Sequence, residues 1–167
     1  EDGGPILERL GMNILFTFNS GHPFTKSSGS VGQQGAETGA LVENDPRSSN
    51  PQEAVGASTT PWNFNIDLRI DKTLTIGPFA ANFYVYVQNL LNTRNVLNVY
   101  RRTGNADDDG FLTDPNLSSA VVASLGSNYV DLYRAINLAN GSHYKANTGN
   151  DLWGTPRQIR FGMKVEY

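Results

Sequence analysis

The strongest candidates for chemistry in this chain are Asn105, Asp107 and Asp109, in the run Asn105-Ala-Asp107-Asp-Asp109-Gly110. Oxygen-bearing side chains at alternate positions, then a glycine for a sharp turn, suit a hard cation such as calcium. The match covers only the first half of a calcium loop. Its twelfth position is Asn116, where a bidentate glutamate would complete the coordination. The competing reading is a solvated acidic turn. His22 and His143 are the only histidines, each in a polar, loop-like context without a second ligand at metal spacing. They read as surface or loop histidines. No Ser/His/Asp set and no paired carboxylates stand out, so no catalytic residue is assigned and an enzyme is not expected. Beyond the candidate calcium, no cofactor is expected.

Composition narrows the classes further. The 167 residues contain no cysteine and carry a net charge of −3. That removes a disulfide framework and a thiol nucleophile, and it leaves no basic footprint for nucleic acid. Mean hydropathy is negative, and no apolar run approaches the ~20 residues of a membrane-spanning helix. A membrane barrel stays open, because its strands dilute apolar residues by alternation. The start, Glu1-Asp-Gly-Gly-Pro5, has no initiator methionine, basic segment or apolar segment. The expectation is a chain that begins after processing or partway through a larger protein.

Four stretches alternate with the period of a strand. In the last, Ile159, Phe161, Met163 and Val165 fall on one face, with Tyr167 continuing it. Gln158, Arg160, Gly162, Lys164 and Glu166 fall on the other. From Leu10, the residues Met12, Ile14, Phe16 and Phe18 share a face, with Leu15 as an exception opposite; the strand closes at Ser20-Gly-His-Pro-Phe-Thr25. Phe64, Ile66, Leu68 and Ile70 alternate with Asn63, Asn65, Asp67, Arg69 and Asp71. Phe79, Ala81, Phe83, Val85 and Val87 alternate with Ala80, Asn82, Tyr84, Tyr86 and Gln88. The expected strands span about 10–25, 61–74, 79–101 and 156–167. A wall with lipid outside and water inside would use such strands, and so would a soluble sandwich. In the first case Asp67, Arg69, Asp71, Tyr84, Tyr86 and Arg160 line a lumen; in the second they form a solvated face. Trp62, Phe64 and Trp153 toward one end, and Phe79 and Tyr167 toward the other, would form aromatic girdles.

The connections are unequal. A tight turn at Thr75-Ile-Gly-Pro78 contrasts with long loops at 26–60 and 102–155. Structureless loops of that length are uncommon in compact soluble domains. Short turns at one end and long loops at the other are an outer-membrane pattern. With the last strand descending to the periplasm, both long loops come out extracellular, provided 96–100 continues the third strand. Within the second loop, Asp114 and Pro115 predict a helix through about Leu125, and Ser127 one over Asn128 to about Leu138.

Arg160-x-Gly162-x-x-Val165-x-Tyr167 resembles the assembly signal of bacterial outer-membrane barrels. Several further pieces resemble the C-terminal end of TonB-dependent outer-membrane receptors, especially the Oar-like type with a carboxypeptidase-regulatory-like domain. They are Ser20-Gly-His-Pro-Phe-Thr25, Asn65-Ile-Asp-Leu-Arg-Ile-Asp-Lys72, Asn89-Leu-Leu-Asn92 after Tyr84-Val-Tyr-Val-Gln88, Thr103-Gly104 with Asp107-Asp-Asp-Gly110, and Pro156-Arg157-Gln158-Ile159-Arg160. Leu91 stands where the family usually has Phe.

The resemblance implies the last four strands of a transmembrane antiparallel β-barrel of about 22 strands with a plugged lumen. It implies a Gram-negative outer membrane, import of an unknown ligand, and a TonB-type energiser acting through a missing N-terminal part. Expected partners are outer-membrane lipid, the remainder of the barrel and its plug, and the barrel-assembly machinery. The alternatives are a non-transporting outer-membrane structural or adhesion protein, or a soluble β-sandwich binding module.

Overall fold

A computed structural model describes residues 7–29, 49–139 and 141–166. The chain is mostly β with a small helical part, and its sheets are open and antiparallel; the described residues form no closed barrel. It divides into two compact units. One comprises 1–19, 63–95 and 155–167, the other 20–62 and 96–154. Tyr167, the residues 1–6 of the N-terminal stretch and the middle of the first long loop, 30–48, lie outside the described residues.

The first unit is a four-stranded sheet of β1 (Leu10–Asn19), β6 (Asn63–Ile76), β7 (Phe79–Gln88) and β8 (Gln158–Glu166), in the order β1-β6-β7-β8. Each strand is antiparallel to its neighbour, so both long connections leave from one end and the short turn from the other. Register matches apolar to apolar along most of one face, with Lys72 opposite Leu10 and Phe83 as the exception. Met12 faces Ile70, which faces Val85, which faces Phe161. A slip of one residue would bring each apolar face against a polar one, so the pattern fixes the register. Gly77 has φ +60° at the first central position of the β6–β7 turn, as a primed hairpin turn requires.

The third strand ends sooner than expected. It stops at Gln88 rather than near residue 101, and 96–100 makes only isolated bridges, Val96 with Trp153 and Tyr100 with Asn105. Two asparagines explain the break. Asn89 and Asn92 take left-handed backbone angles, φ 53° and 54°, which asparagine tolerates and an extended ladder does not. The carboxamide of Asn89 donates to the carbonyls of Thr93 (2.9 Å) and Thr155 (3.0 Å) and accepts from the Thr93 N–H (2.8 Å). Asn92 accepts from the Arg157 N–H at 3.0 Å, just ahead of β8. The first strand likewise stops at Asn19; Pro23–Phe24 (β2) pairs instead with Ser58–Thr59 (β5).

The second unit holds the helices expected in the second long loop, and short strand pairs that were not expected. Besides β2 and β5 it holds a pair formed by β3 (Ser27–Gly29) and β4 (Ser49–Pro51). It also holds α1 (Pro115–Leu125), α2 (Asn128–Tyr133) running into a π-helical stretch at Arg134–Leu138, and α3 (Ser142–Thr148). The Asp114 carboxylate caps α1 by accepting the Asn116 N–H at 3.0 Å, as its position predicts. Ser127 precedes α2 but sits in helical geometry and makes no side-chain cap. The unit has its own core: Tyr100, Ala106, Tyr144 and Leu152 are buried together, with Val96, Leu138 and Trp153 packed against them. Trp153 is therefore a core aromatic of this unit rather than a girdle residue. Glu53 ties the first loop: one carboxylate oxygen accepts the Lys26 N–H at 2.6 Å, the other the Ser58 hydroxyl at 2.9 Å. That backbone hydrogen bond from Lys26 is the main reason the Glu53 carboxyl lies below its ordinary pKa. Among the described residues no helix is long and apolar enough to cross a membrane.

Candidate functional site

The sheet presents two chemically opposite faces. On one face Leu10, Met12, Ile14, Phe16 and Phe18 of β1, Ile70, Leu74 and Ile76 of β6, and Phe79 and Phe83 of β7 are all exposed. Ile159, Phe161, Met163 and Val165 of β8 complete it, with Phe161 77% accessible. A contiguous apolar surface above a few hundred Å2 is rare on a water-soluble monomer and marks a binding or membrane surface.

The opposite face is a hydrogen-bonded polar ladder. Strand register brings Asp67, Arg69, Asp71, Tyr84, Tyr86 and Arg160 onto it together. The Asp67 carboxylate accepts from Asn65 Nδ2 at 2.7 Å, the Asn89 N–H at 2.9 Å and the Tyr86 hydroxyl at 3.3 Å. Asp71 accepts from Asn82 Nδ2 at 3.1 Å and lies 3.6 Å from Arg69 Nε. The Arg69 guanidinium also sits over the Tyr84 ring, 4.8 Å from its centroid. Arg160 donates to Gln158 at 3.1 Å. A single half-exposed ion pair contributes little; it is the shared acceptors that hold these side chains in one arrangement.

Tyr84 lies across the terminal strand at Gly162. A β-carbon placed on Gly162 would fall 2.2 Å from the Tyr84 ring, so only glycine admits the ring there. Of the four residues resembling an assembly signal, Arg160 and Gly162 are thus on the polar face and Val165 is on the apolar one. Tyr167 lies outside the described residues.

The three residues expected to bind calcium differ in their surroundings. Asn105 accepts the Asp107 N–H at 3.0 Å, while the Asp107 side chain is exposed. Asp109 is only 2% accessible and turned inward. One of its oxygens accepts the Phe111 N–H at 3.0 Å and the other the Tyr133 hydroxyl. Burial pushes the Asp109 carboxyl above its ordinary pKa, against the opposing pull of the Tyr133 hydrogen bond. Burial, then Asp109 itself, raises Tyr133 as well. Phe111 stacks at a tilt on Tyr133, with centroids 4.7 Å apart. This buried pair was not foreseen from the acidic run, because nothing in the spacing says which aspartate turns inward. Among the described residues no three His, Cys, Asp or Glu side chains are grouped to hold a metal ion. His22 pairs with Thr60 through its backbone N–H and its ring Nδ1, at 3.0 and 3.2 Å.

No family model matches the chain, and no curated protein or solved structure matches it either. The functional reading therefore rests on the two faces of the sheet.

Proposed function

We propose that the four-stranded sheet is a stretch of wall from a transmembrane β-barrel of a Gram-negative outer membrane, of the kind found in TonB-dependent receptors that import a ligand. The observation that carries this reading is the exposed apolar face set against a networked polar face on the same strands. A barrel wall needs both: acyl chains on one side, a wetted lumen on the other. A soluble β-sandwich would have to cover Phe161 and its neighbours, and no second sheet does so among the described residues.

Closure requires more strands. The outer edges of β1 and β8 carry no strand partner among the described residues. In hydrocarbon each unpaired backbone group costs several kcal/mol. The reading therefore places this sheet within a longer protein whose other strands pair with both edges. Such a wall would serve a receptor that imports a ligand. It would equally serve a non-transporting outer-membrane protein of adhesion, and a plug domain in the upstream reading frame separates these two. Heat-modifiability of the full-length protein tests the wall itself. A closed barrel migrates faster before boiling than after; a single unchanged band rejects the proposal.

A further inference from the structure

On the four strands every charge but one lies on the polar face, and Lys72 is the exception. It shares the apolar face with Ile70 and Leu74. Its partners across the sheet are Leu10 and Phe83, with Met163 beyond Phe83. An open depression of about 290 Å3 is lined by Lys72 together with Ile70, Phe83, Val85 and Phe161. The Lys72 ammonium donates to the carbonyl of Glu8, which leads into β1. Leu10 lies opposite Lys72, so this bond draws the ammonium toward the end of the sheet that carries the Gly77–Pro78 turn. Lys72 itself lies four residues from the strand end at Ile76. That is about 13 Å along the strand, or roughly 10 Å of depth at a barrel strand's tilt.

We propose that Lys72 and this depression bind one anionic phospholipid of the leaflet next to the Gly77–Pro78 turn. The inference rests on the wall reading above. A lysine within an apolar belt reaches for the headgroup layer and there meets phosphate. The site offers the Lys72 ammonium beside an apolar depression. That matches an amphiphile with one anionic head and a long tail, whereas an acidic protein surface would require several cations and a polar rim. The phosphate lies against the ammonium, and one acyl chain lies over Ile70, Val85 and Phe161.

The test uses the full-length protein in nanodiscs made of equal parts phosphatidylglycerol and phosphatidylethanolamine, followed by gentle delipidation and native mass spectrometry. Wild type should retain phosphatidylglycerol in preference to phosphatidylethanolamine. Lys72→Met should lower that preference about fivefold, the effect of one basic side chain at a membrane surface. Lys72→Arg should keep it. A Lys72→Met protein that stays heat-modifiable with unchanged phosphatidylglycerol retention overturns the lipid site and leaves the wall reading standing. Retention of lipopolysaccharide instead, lost in Lys72→Met, overturns the leaflet assignment. A wild-type protein with no heat-modifiable form overturns both.

Discussion

The side chain of Asn95 pairs with the backbone of Phe64 as a strand residue would. The Phe64 N–H donates to Asn95 Oδ1 at 3.0 Å, and Asn95 Nδ2 donates to the Phe64 carbonyl at 2.9 Å. Asn89, Asn92 and Asn95 recur at intervals of three, and each clasps a different part of the sheet: Thr155, Arg157 and Phe64. The chain leaving β7 thereby fastens the loop-side ends of β8 and β6.

Replacing Asn95 with alanine removes both bonds and leaves two backbone groups of Phe64 without partners. The expected cost is about 1–3 kcal/mol. It should be read as a lower temperature for loss of the fast-migrating, unboiled form of the full-length protein. A variant with unchanged melting shows that water replaces the clasp at no cost.

The Tyr84–Gly162 contact predicts a steric effect with a rescue. Gly162→Ala places a methyl group into the Tyr84 ring. Displacing the ring should cost about 1–3 kcal/mol, as overpacking does. Tyr84→Ala in the same protein should remove most of that penalty, and a double-mutant cycle on thermal stability measures the coupling. Additive effects would mean the ring moves aside freely.

The buried pair in the loop unit predicts a pH dependence of definite sign. Asp109 is raised in the folded state, so its contribution is complete below the ordinary aspartate pKa of about 4 and fades as pH climbs through the raised value. Hydrogen-exchange protection around Phe111, corrected for intrinsic rates, should therefore weaken from acid toward neutral pH. Asp109→Asn should flatten that slope. Tyr133→Phe leaves a buried carboxyl oxygen without its donor and should cost about 1–3 kcal/mol of local stability. A flat profile in the wild-type protein would contradict the assignment.

The four long strands were legible because each carries a period of two, interrupted only at Leu15 in β1 and Lys72 in β6, and β8 showed it most plainly. The helix at Pro115–Leu125 was legible from its Asp-Pro start. The end of β7 was not, because Val96, Leu97 and Val99 have strand-like composition, and only left-handed angles at Asn89 and Asn92 stop the ladder. The Asn-x-x-Asn-x-x-Asn spacing was the available signal. The third helix, Ser142–Thr148, lacks a strong cap or periodicity and was missed. The polar-face residues Asp67, Arg69, Asp71, Tyr84, Tyr86 and Arg160 followed from alternation alone. Alternation says nothing about Tyr84 covering Gly162, which depends on register between β7 and β8, nor about the inward turn of Asp109.

The most direct test asks which solvent meets each face of β8. The chain has no cysteine, so single cysteines at 158, 159, 160, 161, 163, 164 and 165 of the full-length protein in lipid can each carry a nitroxide spin label. The account predicts high accessibility to oxygen at 159, 161, 163 and 165, and high accessibility to a water-soluble nickel reagent at 158, 160 and 164. Labels at 159, 161, 163 and 165 that are shielded from both reagents would place those side chains in a soluble core and contradict it.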